Sequence, residues 1–287
     1  APSERAPAPA AGAAAAAPTA KAEPEPAVEA RDERPKPERS RGADARSRTP
    51  LEVSLGFTSF FRTFDFNQPL TPQRPYEATF APAIALAARW YPAAHFTDAW
   101  YRNLGVDISA DYAIGLSSED SVTGSKFPTN AFAFIGGVRG RLPLGPSELG
   151  AVVSFGTDRF SLDPTEQGAE AETPSVDYVF ARFGGDGRIR VIPQLDFGFG
   201  GGLRLLTDAG EIISDDWFPR AEVGAFDVTA KLGTPIFDPI HLELGVNYIH
   251  YFFAFNPTVD DAQSGRPIAG GALDQYTEIF LRAVLVL

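Results

Sequence analysis

The chain carries three histidines, His95, His241 and His250, no cysteine and no methionine. His250 lies in IHYFF, with acidic residues in the segments beyond it. A histidine beside carboxylates is the pattern of acid–base hydrolysis, but alternation of side chains puts His250 on one face with Tyr248 and Phe252, away from the charged face. His95 and His241 fall in connecting segments and read as turn residues. No serine is paired with a histidine in a way that suggests a nucleophile. DISAD, residues 107–111, places Asp107 and Asp111 at calcium-loop spacing. It lacks the following glycine and the closing glutamate of a twelve-residue loop, and it alternates as a strand. FGFGGG, residues 197–202, lacks the strand–turn–helix setting of a phosphate-binding loop. No catalytic residue, metal site or cofactor is expected.

What remains of the chemistry is charge at every second position. Residues 104–116, LGVDISADYAIGL, alternate without a slip, and a strand sends successive side chains to opposite faces. The same parity through the chain collects Glu52, Arg62, Arg89, Asp107, Asp111, Arg139, Arg141, Arg182, Asp186, Arg188, Arg190, Asp196, Arg204, Glu243, Glu278 and Arg282 on one face. The opposite face is Leu, Val, Ile, Phe, Ala and Gly almost throughout. Ten strands are read: 51–64, 79–91, 104–117, 131–142, 150–162, 176–192, 195–207, 220–233, 241–255 and 275–287. They are longer than the ~5–6 residues usual in soluble sheets and suit tilted membrane strands. GGDG, residues 184–187, is read as part of an unbroken strand rather than as a hairpin turn.

The connections alternate in kind. GRLPLGPSELG, RIRVIPQLDFG and AKLGTPIFDPIHLELG repeat one scheme: a basic strand end, a proline turn, then leucine and glycine opening a new alternation. A longer version runs from Trp90 to Leu104. Between these lie long polar loops, with acids at Glu119, Asp120, Glu166, Glu170, Glu172, Asp215, Asp216, Asp260 and Asp261. Those acids read as a solvated surface, or as groups bridging divalent cations to lipopolysaccharide phosphates. Short turns alternating with long loops are the pattern of an outer-membrane barrel, and aromatic girdles are expected at its two interfaces. Trp90, Tyr91, Trp100 and Tyr101 are assigned to one girdle, Trp217, Phe218, Tyr251 and Phe252 to the other.

Residues 1–50 differ in kind. They hold sixteen alanines and nine prolines with no aromatic residue, leucine or isoleucine. Such a stretch cannot bury enough apolar surface to offset its ordering entropy, so a disordered tether is expected. Its charges nearly balance, whereas residues 51–287 carry a net charge of −13. No basic stripe suits nucleic acid. An opening without methionine, APSER, reads as a mature chain after removal of a signal peptide. The domain reading is a periplasmic tether over 1–50 and a barrel over 51–287.

Over residues 51–287 the chain resembles the Gram-negative outer-membrane β-barrel class, through its alternation, its GRLPLG-type turns and the terminal strand YTEIFLRAVLVL. That strand ends in Leu287 where the class usually ends in an aromatic residue. The Ala/Pro-rich arm is similar to those of barrels from GC-rich envelopes such as those of myxobacteria, some of which serve motility or secretion. Omptin-like barrel proteases resemble the chain in having His and Asp at the outer rim. The resemblance implies an all-β, ten-stranded up-and-down transmembrane barrel, with eight or twelve strands as the neighbouring counts. It also implies an outer-membrane location with the arm in the periplasm.

The charge network expected in the lumen is Asp107, Asp111, Arg139, Arg141, Arg182, Arg188, Arg190, Asp196, Arg204, Glu243, Glu278 and Arg282. A buried carboxylate or guanidinium must be paired or hydrated, so near-equal numbers of each sign suggest interlocking pairs. Ten strands also fall short of the sixteen to eighteen that leave an aqueous channel. The leading expectation is a structural anchor or scaffold for an envelope assembly, not an enzyme. Its partners would be outer-membrane lipid, lipopolysaccharide, and a periplasmic protein or the cell wall through residues 1–50. A narrow channel for small solutes or ions, with the lumen charges as selectivity groups, is the alternative. An outer-membrane hydrolase is third.

Overall fold

The structure, a computed structural model, describes residues 49–68, 75–119, 126–163, 174–259, 261 and 268–287. Residues 1–48, and with them the expected tether, lie outside the described residues. So do Asp120, Glu166, Glu170, Glu172 and Asp260 among the acids of the long loops.

Eleven strands are present: β1 (Leu51–Phe66), β2 (Tyr76–Trp90), β3 (Leu104–Ala113), β4 (Ser117–Glu119), β5 (Lys126–Leu144), β6 (Ser147–Leu162), β7 (Val176–Ile192), β8 (Leu195–Asp208), β9 (Glu222–Phe237), β10 (Ile240–Ala254) and β11 (Gly271–Val286). Each long strand pairs antiparallel with its neighbour in the chain, β1 pairs with β11, and β3 pairs with β5 across the short β4. Ten long strands therefore close into an up-and-down barrel, and β4 only prolongs the edge of β5. The β1–β11 register is unbroken from Glu52↔Val286 to Phe66↔Ala272. A bulge between Phe60 and Arg62 shifts β1 against β2.

The turns explain the two ends. Gly145–Pro146, Pro193–Gln194 and Asp238–Pro239 close two-residue hairpins, and Gly145 has φ +65°, which a glycine adopts without steric cost. Both barrel termini meet at this end, where Leu287 N–H donates to Leu51 O. The β2–β3 connection is longer and holds two 3-10 turns, Pro92–His95 and Trp100–Asn103. The long loops all leave the opposite end.

Outward residues form an apolar belt. Leu55, Phe57, Leu86, Ile108, Val138, Phe155, Leu203, Leu244 and Leu281 are all exposed. A belt of this extent around a closed barrel is unfavourable in water and favourable in lipid. Closure also leaves none of the ten long strands with an open edge along the barrel wall, which lipid demands. The fold is a ten-stranded antiparallel barrel of the outer-membrane kind. No helix among the described residues is long and apolar enough to cross a membrane.

Several expected strand bounds need correction: β6 begins at Ser147, not 150, and β9 ends at Phe237, not 233. The third strand stops at Ala113, not 117: Ile114 N–H turns to Pro82 O, and Gly115 has φ +64°. Leu116 consequently packs against the interior cluster instead of facing lipid. The last strand starts at Gly271, not 275, because pairing with β10 persists to Ala254↔Gly271. The fourth long strand reaches from Lys126 to Leu144, well past 131–142 at both ends.

Candidate functional site: the lumen

Inward parity places a column of charge along the barrel axis, in three tiers. At the short-turn end Arg139 is nearly inaccessible. It donates from Nε to Asp186 Oδ1 at 3.0 Å and from Nη2 to Asp186 Oδ2 at 2.7 Å and Glu148 Oε1 at 2.8 Å. It also donates to the Tyr91 hydroxyl. Arg141 lies over the Tyr91 ring at 3.7 Å and donates to Thr49 O at 2.8 Å. Arg188 reaches Glu52 at 3.2 Å, and Arg89 reaches Asp107 at 2.9 Å. Arg190 pairs with Asp196, and Lys231 donates to Glu243 at 2.8 Å. Apart from the Arg141–Tyr91 ring contact these are charge-assisted hydrogen bonds or ion pairs, made by long arginine and lysine side chains.

In the middle tier Asp227 is the hub. Arg182 grips it in bidentate fashion at 2.7 and 2.6 Å, and Arg204 Nε adds a bond at 3.1 Å. Arg204 also reaches Asp158 and the Tyr251 hydroxyl. Arg282 stands 3.6 Å from Asp111, which also accepts from Thr58 at 3.3 Å. Glu278 accepts from Asn247 Nδ2 at 2.9 Å, and Asn247 Oδ1 accepts from Thr229 at 2.7 Å.

The tier at the long-loop end is a stopper. Arg62 and Asp274 are both fully buried and form a bidentate pair at 2.9 and 2.8 Å. The Tyr178 hydroxyl donates to the same carboxylate at 2.6 Å. The Arg62 guanidinium lies 4.2 Å from the Phe160 ring centroid, within cation–π range. Tyr178 stacks on Tyr251 at 3.8 Å. Above them the loop between β8 and β9 turns inward: Ile212 is fully buried and Phe218 stacks on Phe255 at 3.8 Å. Phe64, Phe253 and Phe66 complete the aromatic layer.

Below the stopper a cavity of about 310 Å³ remains, lined by side chains of the lower two tiers. At ~30 Å³ per water it has room for roughly ten waters. Its lining holds nine carboxylates and six cationic side chains.

All twelve charged residues expected in the lumen point inward, and each has a named ionic or hydrogen-bonding partner or a place in the cavity wall. Asp107 and Asp111, which resemble half a calcium loop in sequence, have Arg89 and Arg282 as partners. Among the described residues no group of three His, Cys, Asp or Glu could hold a metal ion. His250 faces outward, bonded to the Tyr248 hydroxyl at 3.0 Å among Phe226 and Phe252.

The girdle assignments divide. Trp90, Trp100, Tyr101 and Phe252 are exposed on the outside. Tyr91, Phe218 and Tyr251 do not belong to a girdle. Tyr91 lies two residues beyond inward-facing Arg89, and Tyr251 shares the inward parity of Glu243, so both point into the lumen. Phe218 sits on a loop folded over the mouth, and Trp217 beside it packs against the interior cluster. Sequence reading missed Glu148, Asp158, Asp227, Lys231 and Asp274. Parity finds Asp158, Asp227 and Lys231 directly; Glu148 and Asp274 fell outside strands drawn too short.

No protein-family model matches the chain, and no curated protein matches it. Among solved structures it is similar to the outer membrane protease OmpT from Escherichia coli, with a TM-score of 0.46 and 11% identity over 83% of this chain and 97% of that one. Neisserial surface protein A gives a TM-score of 0.35 and 7% identity, covering 83% and 97% of the two chains. The outer membrane protein AlkL, solved in DMPC lipid bilayers, gives 0.34 and 12%, covering 83% and 90%. Likenesses at this level say nothing about activity.

Proposed function

We propose that the protein is an outer-membrane β-barrel that acts as a rigid anchor or scaffold for an envelope assembly, with residues 1–50 reaching periplasmic partners. The observation that carries this reading is the stopper: Arg62, Asp274, Tyr178 and the Phe218–Phe255 stack fill the long-loop end with side chains. A lumen filled at one end and cross-linked by ion pairs below resists deformation and blocks through-flow. On this reading the short turns face the periplasm, because both ends of the barrel, Leu51 and Leu287, meet there.

Planar-bilayer recording of the refolded full chain tests the blocked lumen. No steady conductance is expected, and large reproducible conductance overturns the anchor reading in favour of a channel. Capture of periplasmic proteins or cell-wall fragments tests the tether. It is expected to fall when residues 1–39 are removed, and unchanged capture reduces the arm to a spacer.

The second reading is a narrow pathway for small solutes, favoured by the cavity of about 310 Å³ with its charged wall. It requires the stopper to move. A hydrolase has less support, since His250 faces outward among Phe226 and Phe252.

A further inference from the structure

Every inward arginine described above except Arg141 has a carboxylate within ion-pair distance. Arg141 makes no such pair among the described residues. It stands near the short-turn end of β5, is only 6% exposed, and is held by neutral groups. Nη1 donates to Thr49 O at 2.8 Å, Nε donates to Asn103 Oδ1 at 3.3 Å, and the guanidinium lies 3.7 Å from the Tyr91 ring centroid. Nη2 has no hydrogen-bond partner. A buried cation without a paired charge is costly to keep, yet the ring and two hydrogen bonds fix this one in a single orientation.

Arg188, on β7, supplies a second set of donors and is also buried. Its Nη1 reaches Glu52 at 3.2 Å, while Nε and Nη2 have no hydrogen-bond partner. The nearest ion-pair contact of Nη2 is Glu148 Oε2 at 3.9 Å. Glu148 lies opposite Arg188 in the β6–β7 register, and both Glu148 and Glu52 border Arg141 as well. The two arginines therefore flank the same pair of carboxylates. Those carboxylates are already engaged, Glu148 by Arg139 and Glu52 by Arg188.

The unused donors are three nitrogens on two guanidiniums. Nε and Nη2 of one guanidinium form an edge that binds two oxygens side by side. A carboxylate has only two oxygens and saturates one such edge. A phosphate group carries three acceptor oxygens in a tetrahedral array and can bridge two guanidiniums.

We propose that Arg141 and Arg188 form a phosphate-binding site at the short-turn end of the lumen. Arg188 engages two oxygens through its Nε–Nη2 edge, and Arg141 engages a third through Nη2. The ligand is a terminal phosphate group, either free or carried as a lipid headgroup, and it supplies the paired charge that Arg141 lacks. Binding at this end leaves Arg62 and Asp274 in place, because the stopper lies at the other. The site goes beyond the anchor reading and does not rest on it, since bound phosphate neither requires nor forbids a periplasmic partner.

The full chain, refolded in a phosphate-free maltoside detergent, is titrated calorimetrically in a chloride background. Inorganic phosphate is one probe and dihexanoyl phosphatidic acid is the other. Saturable binding is expected. Binding of inorganic phosphate identifies a site for the free ion, and binding of phosphatidic acid alone identifies a site for the headgroup. In Arg141→Met the affinity is expected to fall about tenfold or more, as loss of one charge-assisted hydrogen bond implies. Arg188→Lys keeps a charge beside Glu52 but removes the two-donor edge, and it is expected to weaken binding to a similar degree. Heat-modifiable gel migration certifies folding of each variant, and Arg188→Lys carries the test where Arg141→Met does not fold. Failure of the unaltered chain to bind either probe saturably overturns the proposal. So does unchanged affinity in either folded variant.

Discussion

The two ends of the lumen solve one problem with opposite chemistry. At the long-loop end, a single ion pair is embedded in aromatic rings and both partners are fully buried. At the short-turn end, at least four ion pairs border a cavity large enough for water, and Asp186 and Lys231 remain partly exposed. A buried pair must satisfy every polar atom within the protein, whereas a hydrated one shares that burden with solvent. The upper tier is therefore brittle and the lower tier redundant. Rigidity at the top comes from few, costly contacts; cohesion below comes from many, individually cheap ones.

The largest effect is expected from Asp274→Ala, which strands the Arg62 guanidinium in an aromatic pocket and costs about 3–5 kcal/mol. Urea unfolding in micelles measures it. The double change Arg62→Met/Asp274→Leu is expected to recover most of that loss, since removing both charges removes the desolvation cost as well. A double variant as unstable as the single one breaks the contrast.

Next comes Phe255→Ala, which removes the ring under Phe218 and costs about 3 kcal/mol by cavity formation. It is also expected to raise protease cleavage within 209–221, where Phe218 is the anchor. At the lower end, Arg139→Gln is expected to cost only about 2 kcal/mol, because Asp186 and Glu148 keep Arg89 and Arg188 nearby and Asp186 is partly exposed. Lys231→Met, cutting a partly exposed pair with Glu243, is expected to cost under about 1 kcal/mol and to lose even that in high salt.

The smallest effect lies outside the barrel. The Thr258 N–H and hydroxyl, and then Arg220, hold the Asp261 carboxyl below its ordinary range. A carboxylate with a depressed value stabilises its loop above the ordinary carboxylate pKa and loses that contribution as pH falls through the depressed value. Protection of the Thr258 amide, measured against its intrinsic exchange rate at each pH, is expected to fall only at acid pH, and Asp261→Asn is expected to flatten that dependence.

The legible part of this molecule was local. Parity alone assigned Arg139, Asp107 and Arg282 to one face, because side-chain direction in a strand depends only on position modulo two. Strand ends are less legible: Asp274 and Glu148 lie where pairing runs on into segments whose composition resembles loop. Tyr91, Phe218 and Tyr251 were assigned to membrane interfaces on residue type, yet parity or a folded loop turns each inward.

By itself the sequence determined ten two-faced strands, the alternation of short and long connections, and a charged interior, since each follows from a period of two and from turn chemistry within a few residues. Only the tertiary structure decided which charges meet. Arg62 and Asp274 lie 212 positions apart and are joined because β1 closes on β11 in one register. Asp227 receives Arg182 and Arg204 from two different strands. The inward fold of Ile212 and Phe218 is likewise invisible to periodicity, because a loop without repeating pattern is positioned by the cavity it fills.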